Sequence, residues 1–265
     1  MMKNADTAAS AQPAHTDGGA ARPANPASAG APHGFPASHL GGETLEGGAM
    51  PAVIEGAIFD MDGTLLDSMP WWDNLAENYL LARGKEPNPA DHELFKALTL
   101  EEAADYMRKS YGLDESTERI YSGMLNAILE PYRTTMPLKP GVARALEALA
   151  DAGVRLCVAT ASEKELAQAA LSRLGVSGLF DGIYTCPEVG VSKSAPDVFE
   201  WALRELGTPR AATVVFEDSL HAVETAHAAG FPVCAVREPA NAGDEQAIRA
   251  LADAWLDTFE SVTRG

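Results

Sequence analysis

The apolar positions of this chain change period twice. Ala57-Ile58-Phe59 are consecutive apolar residues that run into Asp60 and Asp62. This pattern predicts a buried strand whose end delivers two carboxylates to one side of a cleft, because strand side chains alternate with a period of two. Gly63 then allows a sharp bend. From residue 68 the period becomes helical. Ser68 and Pro70 start a helix carrying Trp72, Leu75 and Tyr79 that stops at Arg83-Gly84. Thr99 and Glu102 form a capping box for a second helix ending near Gly112, and Ile120, Met124, Ile128 and Tyr132 make the stripe of a third. Residues 68–137 therefore read as all-helical. From Leu138 onward, helices alternate with short apolar strands at Arg155–Thr160, Ile183–Thr185, Thr213–Phe216, Val233–Val236 and Ala254–Leu256. A helix from a capping box of Ser162 and Glu165 is expected to run to Gly175, one from Pro196 to carry Phe199 and Leu203, and one over 219–229 to end at Gly230. Such alternation predicts an α/β fold, a doubly wound parallel sheet with helices on both faces. Ligands of such sheets bind beyond the carboxyl ends of the strands.

Composition adds a boundary and two exclusions. Residues 1–50 are rich in Ala, Gly and Pro, nearly lack large apolar residues and show no period, so they are expected to be a disordered tail. Met50 is then a candidate start, and no apolar core of a signal peptide follows Met1-Met2-Lys3. The division expected is a tail over 1–50, a core over 51–67 and 138–265, and a helical cap over 68–137. The net charge of -18, with no Lys or Arg run, argues against nucleic acid or an anionic membrane as partner. Cys157, Cys186 and Cys234 are too scattered for a disulfide framework or a zinc knuckle, which suggests a reducing cytoplasm. Length and composition leave the oligomeric state open.

The residues with chemistry stand just after strands. Asp60 and Asp62 repel each other, and a cation, protonation of one acid, or solvent must relieve them. Thr160, with Ala161 and Ser162 opening a helix, offers a hydroxyl and free N–H groups to an anion, or simply caps the helix. Lys193 lies in a loop where a lysine is ordinarily solvated. Glu217 and Asp218, after Thr213–Phe216, are either acidic residues at a helix N-terminus or ligands for a hard cation. His221 and His227 read as helical surface, and no histidine has the spacing of a metal ligand.

Taken in order, these stretches resemble the haloacid dehalogenase-like hydrolases. Asp60-Met61-Asp62-Gly63-Thr64, continuing into Leu65-Leu66-Asp67-Ser68, resembles the first motif of that family, and Thr160-Ala161 the second. Val189 to Phe199 resembles the third, with Ser194 where proline is usual. Glu217-Asp218-Ser219 followed by Ala228-Ala229-Gly230 resembles the fourth. The resemblance spans roughly residues 54 to 260 and implies a Rossmann-like core with an inserted C1 cap. It also implies a phosphatase acting on a small phosphorylated metabolite: Asp60 as nucleophile, Asp62 as general acid and base, and Thr160, the Ala161 amide and Lys193 around the phosphoryl group. Mg2+ would be held by Asp60, the Asp62 backbone carbonyl and Asp218, with Glu217 near or at the metal. The second acid argues for phosphate over halide, since dehalogenating relatives lack it. Trp71, Trp72 and Tyr79 are candidate lid contacts. A beta-phosphoglucomutase-type phosphosugar mutase shares the motifs, but its His near position 72 and its Arg-containing cap loop have no counterpart here. A phospho-accepting receiver would have neither lid nor second acid. Sugar phosphates, phosphoglycolate and nucleoside monophosphates all remain open as substrates.

Overall fold

The computed structural model describes residues 34–263. Nine strands are formed: β1 (Phe35–Pro36), β2 (Glu43–Thr44), β3 (Val53–Ile54), β4 (Gly56–Phe59), β5 (Arg155–Thr160), β6 (Gly182–Thr185), β7 (Thr213–Glu217), β8 (Val233–Val236) and β9 (Ala254–Leu256). Seven of them make one sheet in the order β2-β9-β8-β7-β4-β5-β6. All its pairings are parallel except that of β2, which joins the β9 edge antiparallel. The chain moves from β4 outward through β5 and β6, then returns to β7 on the other side of β4. The strand order thus reverses at the β4/β7 pair, where a doubly wound sheet opens a crevice.

The period of two is visible in the core. Ala57 and Phe59 of β4 pack on one face with Leu156, Val158, Val214 and Phe216, while Ile58 packs on the other with Cys157, Ala159 and Val215. Helices α6 (Val142–Asp151) and α7 (Lys164–Arg173) bury their apolar sides with the first group. Helices α9 (Asp197–Leu206), α10 (Leu220–Ala228) and α11 (Glu245–Leu251) bury theirs with the second. The rings of Phe59 and Phe216 stack at 4.5 Å across the switch-point strands. A short helix, α8 (Cys186–Val189), follows β6 under a capping box of Thr185 and Glu188. No described helix is long and apolar enough to cross a membrane.

Between β4 and α6 lie five helices: α1 (Met69–Asp73), α2 (Leu75–Leu81), α3 (His92–Ala97), α4 (Leu100–Ser110) and α5 (Thr117–Thr134). The single helix expected from Ser68 to Gly84 breaks at Asn74 into α1 and α2, and the Ser68 hydroxyl makes no capping bond. The Thr99–Glu102 capping box forms as read. The expected α5 stripe, Ile120, Met124, Ile128 and Tyr132, is wholly buried. The two strands of chain that lead into and out of these helices are tied together. Leu66 bridges Leu138, and the Lys139 amide donates to the Leu65 carbonyl at 2.9 Å.

The expectation of disorder through residue 50 is corrected for residues 34–50, while residues 1–33 lie outside the described residues. Phe35 and Leu40 are buried, β1 pairs with β3, and β2 closes the sheet edge at Trp255. Two large apolar side chains suffice to dock a segment whose composition is otherwise that of a linker. The fold thus includes residues that precede Met50.

Candidate active site

All seven residues singled out from the sequence, Asp60, Asp62, Thr160, Ala161, Lys193, Glu217 and Asp218, line one cavity of about 430 Å³ at the C-terminal edge of the sheet. The β4/β7 register explains the convergence. Phe59 pairs with Phe216, so the residues that follow, Asp60 and Glu217, leave adjacent strands at the same level. Lys193 arrives from the loop between α8 and α9 and is almost fully buried. Its ammonium group donates to Asp60 Oδ1 and, at 2.7 Å, to Glu217 Oε2. The other Glu217 oxygen accepts from Ser219 Oγ at 2.7 Å. Asp218 accepts from Thr64 Oγ1 at 2.7 Å and from Asn241 Nδ2 at 2.8 Å. Each acid is thus held by a neutral or cationic donor that fixes where its oxygens point.

One oxygen from each of Asp60, Glu217 and Asp218 lies within 4.8 Å of the others, and all three residues are buried. One ammonium group faces three carboxylates there. Burial first, and then the neighbouring Glu217, push the Asp60 carboxyl up to about 7 against the pull of Lys193. Burial and the charges of Glu217 and Asp60 likewise hold Asp218 well above the ordinary carboxylate range. Burial alone would depress the Lys193 ammonium, but Asp60 and Glu217 outweigh it and raise its pKa. A site of hard oxygen donors with an uncompensated negative surplus fits a divalent cation. Gly63 is required beside it. Its φ is +86°, and a Cβ there would lie 2.5 Å from Asp218 Oδ2.

Asp62 is held apart from that cluster. It accepts from the Tyr132 hydroxyl through Oδ1 and from Ser162 Oγ through Oδ2, the latter at 2.6 Å. Trp72 Nε1 in turn donates to the Tyr132 hydroxyl at 2.9 Å. Burial, and then the Asp62 charge, raise the Tyr132 phenol well above its ordinary range, so it stays a donor. Arg173 of α7 donates to the Tyr132 carbonyl at 3.0 Å and to that of Met136, anchoring the end of α5 to the core.

Three readings of the sequence change here. Ser162 is no helix cap: α7 begins at Lys164 after Glu163, and the Ser162 hydroxyl is drawn instead to the Asp62 carboxylate. Thr160 and Ala161 accordingly stand in a turn ahead of the helix, where Thr160 Oγ1 accepts from the Ser162 amide at 3.0 Å. Of the three lid aromatics, only Trp72 lines the cavity, whereas Tyr79 is buried within the cap beneath Arg83 and Trp71 packs outside the cavity. His221 lines the cavity as well. Tyr132, Ser162 and Asn241 were not foreseen as site residues. A signal existed for Tyr132, a polar group ending an apolar stripe, but Asn241 sits in a loop without any motif.

The sequence model of a family described as haloacid dehalogenase-like hydrolase matches residues 57–236. Hexitol phosphatase B of Escherichia coli (strain K12) is 26% identical over 219 residues, covering 80% of this chain and 96% of that protein. Fructose-1-phosphate phosphatase YqaB of the same organism is 29% identical over 194 residues, covering 69% and 96%. The crystal structure of CbbY from Rhodobacter sphaeroides in complex with phosphate superposes with a TM-score of 0.65 at 26% identity, covering 78% of this chain and 95% of that one.

Proposed function

Because the chain belongs to the haloacid dehalogenase-like hydrolases, we propose that it is a magnesium-dependent phosphatase that hydrolyses a small phosphorylated metabolite through an aspartyl-phosphate. The observation that carries this reading is the unequal treatment of two acids. Asp60 sits in the metal-fitting cluster under Lys193, while Asp62, two residues on, is held by neutral hydroxyls outside it. One acid is kept for attack and the other for proton transfer.

In the first step a carboxylate oxygen of Asp60 forms a bond to phosphorus as the bond to the ester oxygen breaks. Asp62, which enters this step in its protonated form, gives that proton to the departing oxygen. Asp62 then takes a proton from water as the water oxygen attacks phosphorus, which releases phosphate and restores the Asp60 carboxylate. Lys193, the Thr160 hydroxyl and the Ala161 amide hold the phosphoryl oxygens, so positioning and electrostatics supply most of the acceleration. Asp60, Glu217, Asp218 and the backbone carbonyl of Asp62 would hold Mg2+, whose charge offsets that of the phosphoryl oxygens. Tyr132 and Ser162 keep the Asp62 carboxyl turned toward the leaving group, and the helices above the site exclude bulk water. The three cysteines are buried and free, which fits a reducing cytoplasm.

A phosphate-release screen over a panel of phosphomonoesters, with and without magnesium, tests the reading. Release that depends on both magnesium and Asp60 is expected, and release indifferent to either contradicts it. Including beta-glucose 1-phosphate separates a mutase, which would yield the isomer in place of inorganic phosphate.

A further inference from the structure

The half of the cavity that would receive the leaving group has a composition that narrows the substrate. Met69, Trp72, Leu100, Tyr121 and Leu125 of the cap and Leu166 of the core supply its walls. A second cavity, of about 290 Å³, backs onto the same Met69, Trp72 and Leu100 and continues among Leu75, Phe95 and Met124. The apolar character therefore extends beyond the surface that faces the acids. Cations are scarce. Lys193 supplies the only ammonium or guanidinium among the residues lining the first cavity, and it is already bonded to Asp60 and Glu217. Among its described lining residues the second cavity has none, and Asp73 adds a carboxylate to its wall. Glu163 adds another to the first, and His221 is exposed.

A second anionic group on the substrate would thus leave water for a site that offers it no partner and several like charges. A polyhydroxylated chain would lose its hydration against Met, Leu and aromatic surface, with few groups to replace it. Building on the phosphatase reading above, we propose that the substrate is the monophosphate ester of an uncharged alcohol with an apolar or aromatic face, which packs against Trp72, Leu100 and Leu125. Bisphosphates and phosphorylated carboxylates are rejected because the described lining of the site supplies no second cation. Sugar phosphates are handled less well because most of the wall is apolar, and beyond the acids only Tyr121, Ser162, Glu163, Ser219 and His221 could bond to their hydroxyls. In this the chain departs from the two Escherichia coli relatives, whose names specify sugar and sugar-alcohol phosphates.

The test uses the full chain with magnesium and three phosphate esters of primary alcohols: benzyl phosphate, fructose 1-phosphate and 2-phosphoglycolate. Benzyl phosphate is expected to show the highest kcat/KM, by roughly 10-fold over fructose 1-phosphate and roughly 100-fold over 2-phosphoglycolate. Leu125→Lys and Leu100→Lys, each at a half-buried cap position, are expected to raise the ratio of 2-phosphoglycolate to benzyl phosphate turnover by about 10-fold. Thermal melting reports whether each variant is folded, and the wild-type ranking decides the matter without them. Equal or faster turnover of fructose 1-phosphate or 2-phosphoglycolate overturns the substrate class while leaving the phosphatase standing. Release from none of the three contradicts the phosphatase reading itself.

Discussion

The core side and the cap side of the cavity are built from opposite materials. Three buried carboxylates and a buried ammonium from the ends of β4 and β7 and the loop between α8 and α9 crowd the core side. The cap side presents Met69, Trp72, Leu100, Tyr121 and Leu125. The contrast teaches that the groups fixed to the sheet, where the register of adjacent strands sets distances, bring charge to the cavity, while the inserted helices bring apolar surface. Tyr132 links the two sides: it belongs to the last cap helix, yet its hydroxyl bonds to Asp62 and its carbonyl is held by Arg173 of the core.

The strongest way to break the comparison is to disable the core side alone. Asp60→Asn removes the proposed nucleophile with little change of shape and is expected to lower phosphate release by about 10⁴-fold or more, measured as kcat. Lys193→Met should follow, with a loss of about 10²-fold to 10³-fold in kcat. Because it leaves the Asp60 and Glu217 carboxylates without their buried partner, it should also lower unfolding stability by about 3–5 kcal/mol in magnesium-free solution, read by denaturant titration.

Tyr132→Phe sharpens the link between the sides. It keeps the ring in the apolar stripe and removes one donor to Asp62, worth about 1.5 kcal/mol for a bond to a charged acceptor. The expected result is a fall of about 10-fold in kcat with KM nearly unchanged and a displaced pH profile. A purely structural tyrosine would leave that profile in place.

Smaller effects come from pH and from the N-terminal segment. The Asp60 carboxyl is raised from 3.8 to about 7 in the folded, metal-free chain. A raised acid favours the folded state below its unfolded pKa, and that contribution is lost as pH rises through the folded value. Melting temperature in chelator should therefore decline between pH 3.8 and 7 through this group, and magnesium should flatten the decline. Phe35→Ala should cost about 3–5 kcal/mol of stability by leaving a cavity beneath β1, while kcat/KM stays at its wild-type value.

The core side was largely legible in the sequence, because each of its residues except Lys193, which lies in a loop, follows an apolar run that reads as a buried strand. Asp60, Thr160, Glu217 and Asp218 occupy those ends, and the sheet order brings them together. What periodicity could not show is where an element points at its end. Tyr132 fits the apolar stripe of α5 and was read as packing, yet the last turn of the helix carries its hydroxyl over Asp62. Ser162 matched a capping pattern three residues ahead of Glu165, but α7 begins only at Lys164, and the Ser162 hydroxyl donates to the Asp62 carboxylate. The segment 34–50 escaped notice for a different reason. Two-residue strands carry no period, and Phe35 and Leu40 are diluted by the small residues around them.

The central claim is that Asp60 itself becomes phosphorylated. Quenching a single turnover and reducing with borohydride converts an aspartyl-phosphate to homoserine, which peptide mass spectrometry can place. Homoserine at position 60, and unmodified aspartate at position 62, is the result predicted. Phosphate released in full while position 60 remains aspartate throughout would contradict it.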